Sequence, residues 1–77
     1  MSDANVIEFA HVRAVAQAAA KRNRYLHVSP EALAAARRAG IRMLLAGESA
    51  TAAAFRAERV VVEAWNARTG GIPGSAA

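Results

Sequence analysis

Apolar positions recur at helical spacing in three stretches of the chain, each bounded by residues that stop a helix. Over residues 4–22 the spacing gives two apolar stripes. One holds Phe9, Val12, Ala16 and Ala19, and the other Ile7, Ala10, Ala14 and Ala18. Arg13 and Gln17 separate them on one side, and Glu8, His11, Val15 and Arg22 on the other. Ser2 or Asp3 can cap the first turn through a side-chain oxygen. Lys21 and Arg22 place positive charge in the last turn, where the helix dipole favours it. A helix apolar on two faces asks for two neighbours, one from its own chain and one from a partner subunit.

After Asn23 the period changes. In Arg24-Tyr25-Leu26-His27-Val28-Ser29, Leu26 and Val28 alternate with Tyr25, His27 and Ser29. This predicts a short extended or strand segment at 24–28, although an extended linker would read the same way. Ser29-Pro30-Glu31 then opens a helix. Serine suits the N-cap, proline the first helical position and glutamate the positive end of the dipole.

This second helix is expected over 30–46. Leu33, Ala36, Gly40, Met43 and Leu44 share its apolar face, and Ala34, Ile41 and Leu45 widen it. Glu31, Ala35, Arg38 and Arg42 lie opposite, and Arg37 flanks the apolar arc. Gly40 costs a helix interior about 1 kcal/mol relative to alanine, so its place there points to close packing against another helix or to a short break.

Gly47 ends the second helix, and Ser49 or Glu48 begins a third over 49–68. Its core face is Ala50, Ala53, Ala54, Ala57, Val61, Ala64 and Trp65. Phe55 and Val62, seven apart, form an apolar spot on the other side, and Arg59 and Glu63 are spaced to pair. Residues 69–77, with three glycines and a proline, are expected to be a flexible tail. The expected fold is mainly α, a single domain over 1–68 with three helices and the extended segment at 24–28.

Composition adds a constraint on that fold. Of the 42 apolar residues among 77, 22 are alanine, which buries little area. A domain this small with so few large apolar side chains is expected to complete its core by association. A homodimer or a protein partner follows, with Phe9, Val12, Phe55, Val62 and Trp65 as candidate interface residues. The chain has no cysteine and no apolar run of the roughly 20 residues that a membrane span needs. Its first residues lack the pattern of a secretory signal, so a cytoplasmic protein is expected.

His11 and His27 fall in different elements with no carboxylate at fixed spacing. No His-Glu-x-x-His, phosphate-binding glycine loop or paired-acid motif is present. Neither an enzyme nor a bound metal or cofactor is expected.

Charge is distributed unevenly. Lys21, Arg22, Arg24, Arg37, Arg38 and Arg42 face a single acid, Glu31, so residues 21–42 account for the whole net charge of +4. Nine of the ten basic residues are arginine, which suits bidentate contact with phosphate. A GC-rich coding sequence also enriches arginine and alanine together.

Leu26-His27-Val28-Ser29-Pro30-Glu31 resembles the strand-to-helix junction of ribbon-helix-helix repressors, and Gly47-Glu48-Ser49 resembles their inter-helix turn. The resemblance covers residues 23–66. It implies an intertwined dimer on double-stranded DNA, with Tyr25 and His27, and Asn23 beside them, entering the major groove. Arg24, Arg38, Arg42 and the N–H groups near Ser49 would hold phosphates. The family more often places Arg, Lys, Asn or Gln at the groove-facing positions, and the helix over 4–22 is an addition to it. The expected nucleic-acid-binding set is thus Lys21, Arg22, Arg24, Tyr25, His27, Arg38 and Arg42, in a small DNA-binding transcriptional regulator of bacterial type. The alternative is a non-enzymatic protein-binding modulator or inhibitor of the phage or plasmid kind, whose arginines form a solvated face or meet an acidic surface.

Overall fold

The computed structural model describes residues 8–69. Three helices follow one another: α1 (Phe9–Leu26), α2 (Pro30–Leu45) and α3 (Ala50–Thr69). Connectors this short turn each helix back along the one before it. The third helix packs against both others, and contact between α1 and α2 is sparser. Among the described residues there is no strand.

The helix boundaries rest on identifiable caps. The Ser29 hydroxyl accepts a hydrogen bond from the Ala32 N–H at 3.1 Å, with Pro30 in the first turn. Ser49 does the same for the Ala52 N–H at 3.1 Å. Each bond satisfies a donor that the helix itself leaves unpaired. At the end of α2, Gly47 takes φ 90°, its N–H donates to the Leu44 carbonyl, and the Glu48 N–H donates to the Met43 carbonyl. This pair of bonds is the Schellman arrangement, for which glycine is favoured at the left-handed position.

The segment at 24–28 departs from expectation. Arg24, Tyr25 and Leu26 are not extended but form the last turn of α1, four residues past the expected end at 22. His27 then adopts the left-handed conformation, φ 56° and ψ 54°, and its N–H donates to the Asn23 carbonyl. The Asn23 side chain accepts from the Val28 N–H at 2.5 Å. The reversal is therefore a helix C-cap made by Asn23 and His27, which leaves only Val28 and Ser29 before α2. Val28 is buried, and Leu26 packs against the core. The sidedness that looked like strand alternation comes from a helix end and a turn that point two apolar residues inward.

At the other end of α1, Glu8 is extended and its carbonyl accepts from the His11 and Val12 N–H groups. The expected start at residue 4, with its cap at Ser2 or Asp3, lies outside the described residues, as does the expected 69–77 tail except for Thr69, which is not tail but the last residue of α3.

The core is made of small side chains. Val15, Ala19, Val28, Ala36, Ala53, Ala57 and Val61 are buried, and the largest fully buried side chains are valines. Leu26, Leu33, Met43, Leu44, Val60 and Trp65 pack around this centre while remaining partly exposed. Val15, which separates the two α1 stripes in sequence, is the middle of the α1 core face. From the stripes on its two sides, Val12, Ala14, Ala16 and Ala18 are partly buried and Ala19 fully so on a helix that meets both α2 and α3, whereas Phe9 and Ala10 are exposed.

Gly40 is buried where the three helices meet. A Cβ built there would collide with Val15 Cγ1 and lie 3.0 Å from the Ala53 carbonyl oxygen. The missing side chain thus lets α2 approach α1 and α3 together. No helix among the described residues is long and apolar enough to cross a membrane.

Gly40→Ala should lower the midpoint of thermal unfolding followed by circular dichroism, even though alanine favours a helix by about 1 kcal/mol. The overlap costs roughly 1–3 kcal/mol, because Val15 is β-branched and has no room to rotate. Combined with Val15→Ala, the loss should be smaller than the sum of the two single losses. A Gly40→Ala protein that melts higher would show that the helices are not held at this distance.

Candidate nucleic-acid interface

All ten basic side chains of the chain lie within residues 8–69, and all ten residues are exposed. They face five glutamates there. Two of the glutamates are paired: Arg22 meets Glu58 at 3.2 Å between α1 and α3, and Arg59 meets Glu63 at 3.6 Å within α3. The second is the pair anticipated from the sequence. Both are solvent-exposed contacts that contribute little to stability.

Arg68 is used differently. Its guanidinium reaches from the last turn of α3 and donates to the His27 carbonyl at 3.0 Å and the Leu26 carbonyl at 3.4 Å. It places positive charge on the carbonyl end of α1, where unpaired acceptors and the helix dipole favour it. Arg13 lies over the Phe9 ring, 5.2 Å from its centre. Among the described residues, Lys21, Arg24, Arg37, Arg38, Arg42 and Arg56 make no ion pair.

The residues expected to contact nucleic acid do not form one block. Lys21, Arg22 and Tyr25 come together on the α1–α3 side and, with Glu58, line a cleft of about 170 Å³. Arg38 and Arg42, one turn apart, occupy the exposed side of α2, away from Ala36 and Gly40. Arg24 is exposed near the end of α1, and His27 occupies the turn that follows. Tyr25 and His27 therefore do not share a strand face. Asn23 is half-buried, and its amide oxygen is committed to the turn.

The candidate interface residues also divide. Phe9 and Phe55 are 72% and 60% exposed. Val12 and Val62 are half-buried, and Trp65 packs on the core of its own chain. Phe55 borders a second groove of about 380 Å³ between α1 and α3, lined also by Ala14, Ala50, Thr51, Ala54 and Glu58. Glu58 touches both clefts, so they adjoin along one side of the molecule. Glu58 and Arg68 were not singled out by the sequence, since their partners lie 36 and 41 residues away.

Among the described residues no three His, Cys, Asp or Glu side chains are gathered as a metal site. Compared with known proteins, the chain matches no family model, no curated protein and no solved structure.

The turn itself can be tested. His27→Gly should raise stability by up to about 1 kcal/mol in urea unfolding, because glycine adopts positive φ without the Cβ penalty. His27→Val should lower it, since a β-branched residue is strongly disfavoured there. Equal stability of the two variants would show that the turn is not left-handed.

Proposed function

We propose that this protein is a small, non-catalytic DNA-binding protein of the kind that regulates transcription, and that it binds chiefly through phosphate. The supporting observation is the set of exposed, unpaired cations contributed by residues 21–42: Lys21 and Arg24 on α1, and Arg37, Arg38 and Arg42 on α2. Only Glu31 opposes them within that stretch. Arginines free of carboxylates can replace the counterions around a polyanion and form bidentate contacts with it. Among the described residues, no ion pair of the fold engages these five. The cations sit on helices, so the reading no longer depends on a strand in the major groove. Rigid helical surfaces that hold phosphates position a protein on nucleic acid without by themselves reading its sequence.

A second reading, binding to a protein or to another copy of the chain, draws on a different observation. Among the described residues the core buries no side chain larger than valine completely, while Phe9, Leu45 and Phe55 stand more than half exposed. Apolar area left outside a core this small favours association.

In a mobility-shift assay at low salt the protein should retard random-sequence DNA, and the affinity should fall steeply as salt rises. The Arg38→Ala, Arg42→Ala double variant should bind several-fold more weakly and with a shallower salt dependence. The log–log slope should flatten by about 0.9 for each duplex phosphate that is no longer neutralised. No retardation at low salt would rule out the DNA reading. Sedimentation over a range of concentrations tests the second reading: a dimer dispersed by Val62→Asp supports it, and a monomer at every concentration removes its self-association form.

A further inference from the structure

Three of the four aromatic residues stand outside the core. Tyr25 is 75% exposed, Phe9 72% and Phe55 60%. Burying an aromatic ring is among the largest stabilising contributions a residue makes, and this core is short of large side chains. A core packed through alanine and valine leaves these rings no place inside, so their faces remain available to a partner outside the fold. Phe9 has a partner in Arg13, but Tyr25 and Phe55 have no ring or cation partner among the described residues.

These two rings lie on the same side of the molecule. Tyr25 borders the cleft that holds Lys21 and Arg22, and Phe55 borders the adjoining groove. The Arg22–Glu58 pair marks a shared level of α1 and α3. Tyr25 is three residues past that level on α1 and Phe55 three residues before it on α3. The two helices run in the same direction, so the backbone positions of the two residues lie about 9 Å apart along the bundle at 1.5 Å per residue. That interval accommodates two or three nucleotides at about 3.4 Å each.

Between the rings the surface is close to neutral where Arg22 meets Glu58, and positive at Lys21, one turn before Tyr25. Aromatic rings alternating with cations form a platform for unpaired bases: the rings take the base faces and the cations take the phosphates. In a duplex both faces of each base are covered by its neighbours, so the same rings gain nothing.

We infer that the α1–α3 side, from Phe55 across Arg22 and Glu58 to Lys21 and Tyr25, binds single-stranded nucleic acid by stacking bases on Tyr25 and Phe55. This rests on the nucleic-acid reading above and narrows it from polyanion binding to a strand with exposed bases. Lys21 holds phosphate beside the Tyr25 station, and Glu58, neutralised by Arg22, no longer repels the backbone.

The test is fluorescence anisotropy at low salt with labelled oligothymidylate, oligouridylate and an oligothymidylate–oligoadenylate duplex. The single strands should bind more tightly than the duplex. Tyr25→Leu should weaken single-strand binding about fivefold or more and leave duplex binding unchanged, while Tyr25→Phe should retain it. Leucine is a better helix former than tyrosine, and Tyr25 is exposed, so the variant keeps its fold. Phe55→Leu should have the same selective effect. Either single strand bound ahead of the duplex and weakened by Tyr25→Leu upholds the inference, and the tighter of the two identifies the preferred sugar. A duplex bound as tightly as the single strands, or a Tyr25→Leu protein that binds them undiminished, overturns the stacking site while leaving phosphate binding intact. No salt-dependent binding to any of the three overturns the nucleic-acid reading as well.

Discussion

Close approach of three helices at one residue sets the terms for the rest of this fold. Gly40 presents backbone alone to Val15 on α1 and to the Ala53 carbonyl on α3. The neighbouring contacts are made by Ala19, Ala36, Ala57 and Val61, which are also small. Helices packed through small residues lie near the short end of the 8–10 Å range of interaxial distances. At that distance the interior has no space for Leu, Met or Trp, and such residues settle at the rim of the bundle. A short core made of close contacts and a surface rich in large apolar groups are thus two results of one constraint.

The same constraint decides what the surface can do. Because the helices pack through alanine and valine, basic residues occupy the outward sides of all three, and Phe9, Tyr25 and Phe55 those of α1 and α3. Some are engaged by the fold: Arg22 with Glu58, Arg59 with Glu63 and Arg68 with the end of α1. Of the cations that remain, Lys21 and Arg24 lie on the second half of α1 and Arg37, Arg38 and Arg42 on α2, while Arg13 and Arg56 stand apart. Placing them on helices makes their spacing rigid, which a flexible basic tail would not do.

Much of the architecture was legible in local residue chemistry. Ser29-Pro30, Gly47 and Ser49 mark boundaries through backbone hydrogen bonds that a few adjacent residues determine, and they appear within a residue of where they were expected. The Ala53, Ala57 and Val61 face of α3 follows from spacing alone. The end of α1 was not legible, because Leu26 and Val28 point inward in either a strand or a helix end followed by a turn. What separates the two is the Asn23 cap, the left-handed His27 and a guanidinium arriving from Arg68. The role of Val15 was hidden because two alanine-rich stripes outnumber one valine on the helical wheel. The candidate site was legible as charge but not as geometry. Lys21 and Tyr25 share a helix side by spacing, yet their neighbours Glu58 and Phe55 belong to a different helix.

Arg68 also bears on the order in which the chain assembles. The reversal between α1 and α2 is short and local, but the carbonyls of Leu26 and His27 receive the Arg68 guanidinium only after α3 has docked along its whole length. Contacts spanning some forty residues form late, because a long loop must close before they contribute. The joint between the first two helices is thus closed by the third, whose last turn acts as its latch.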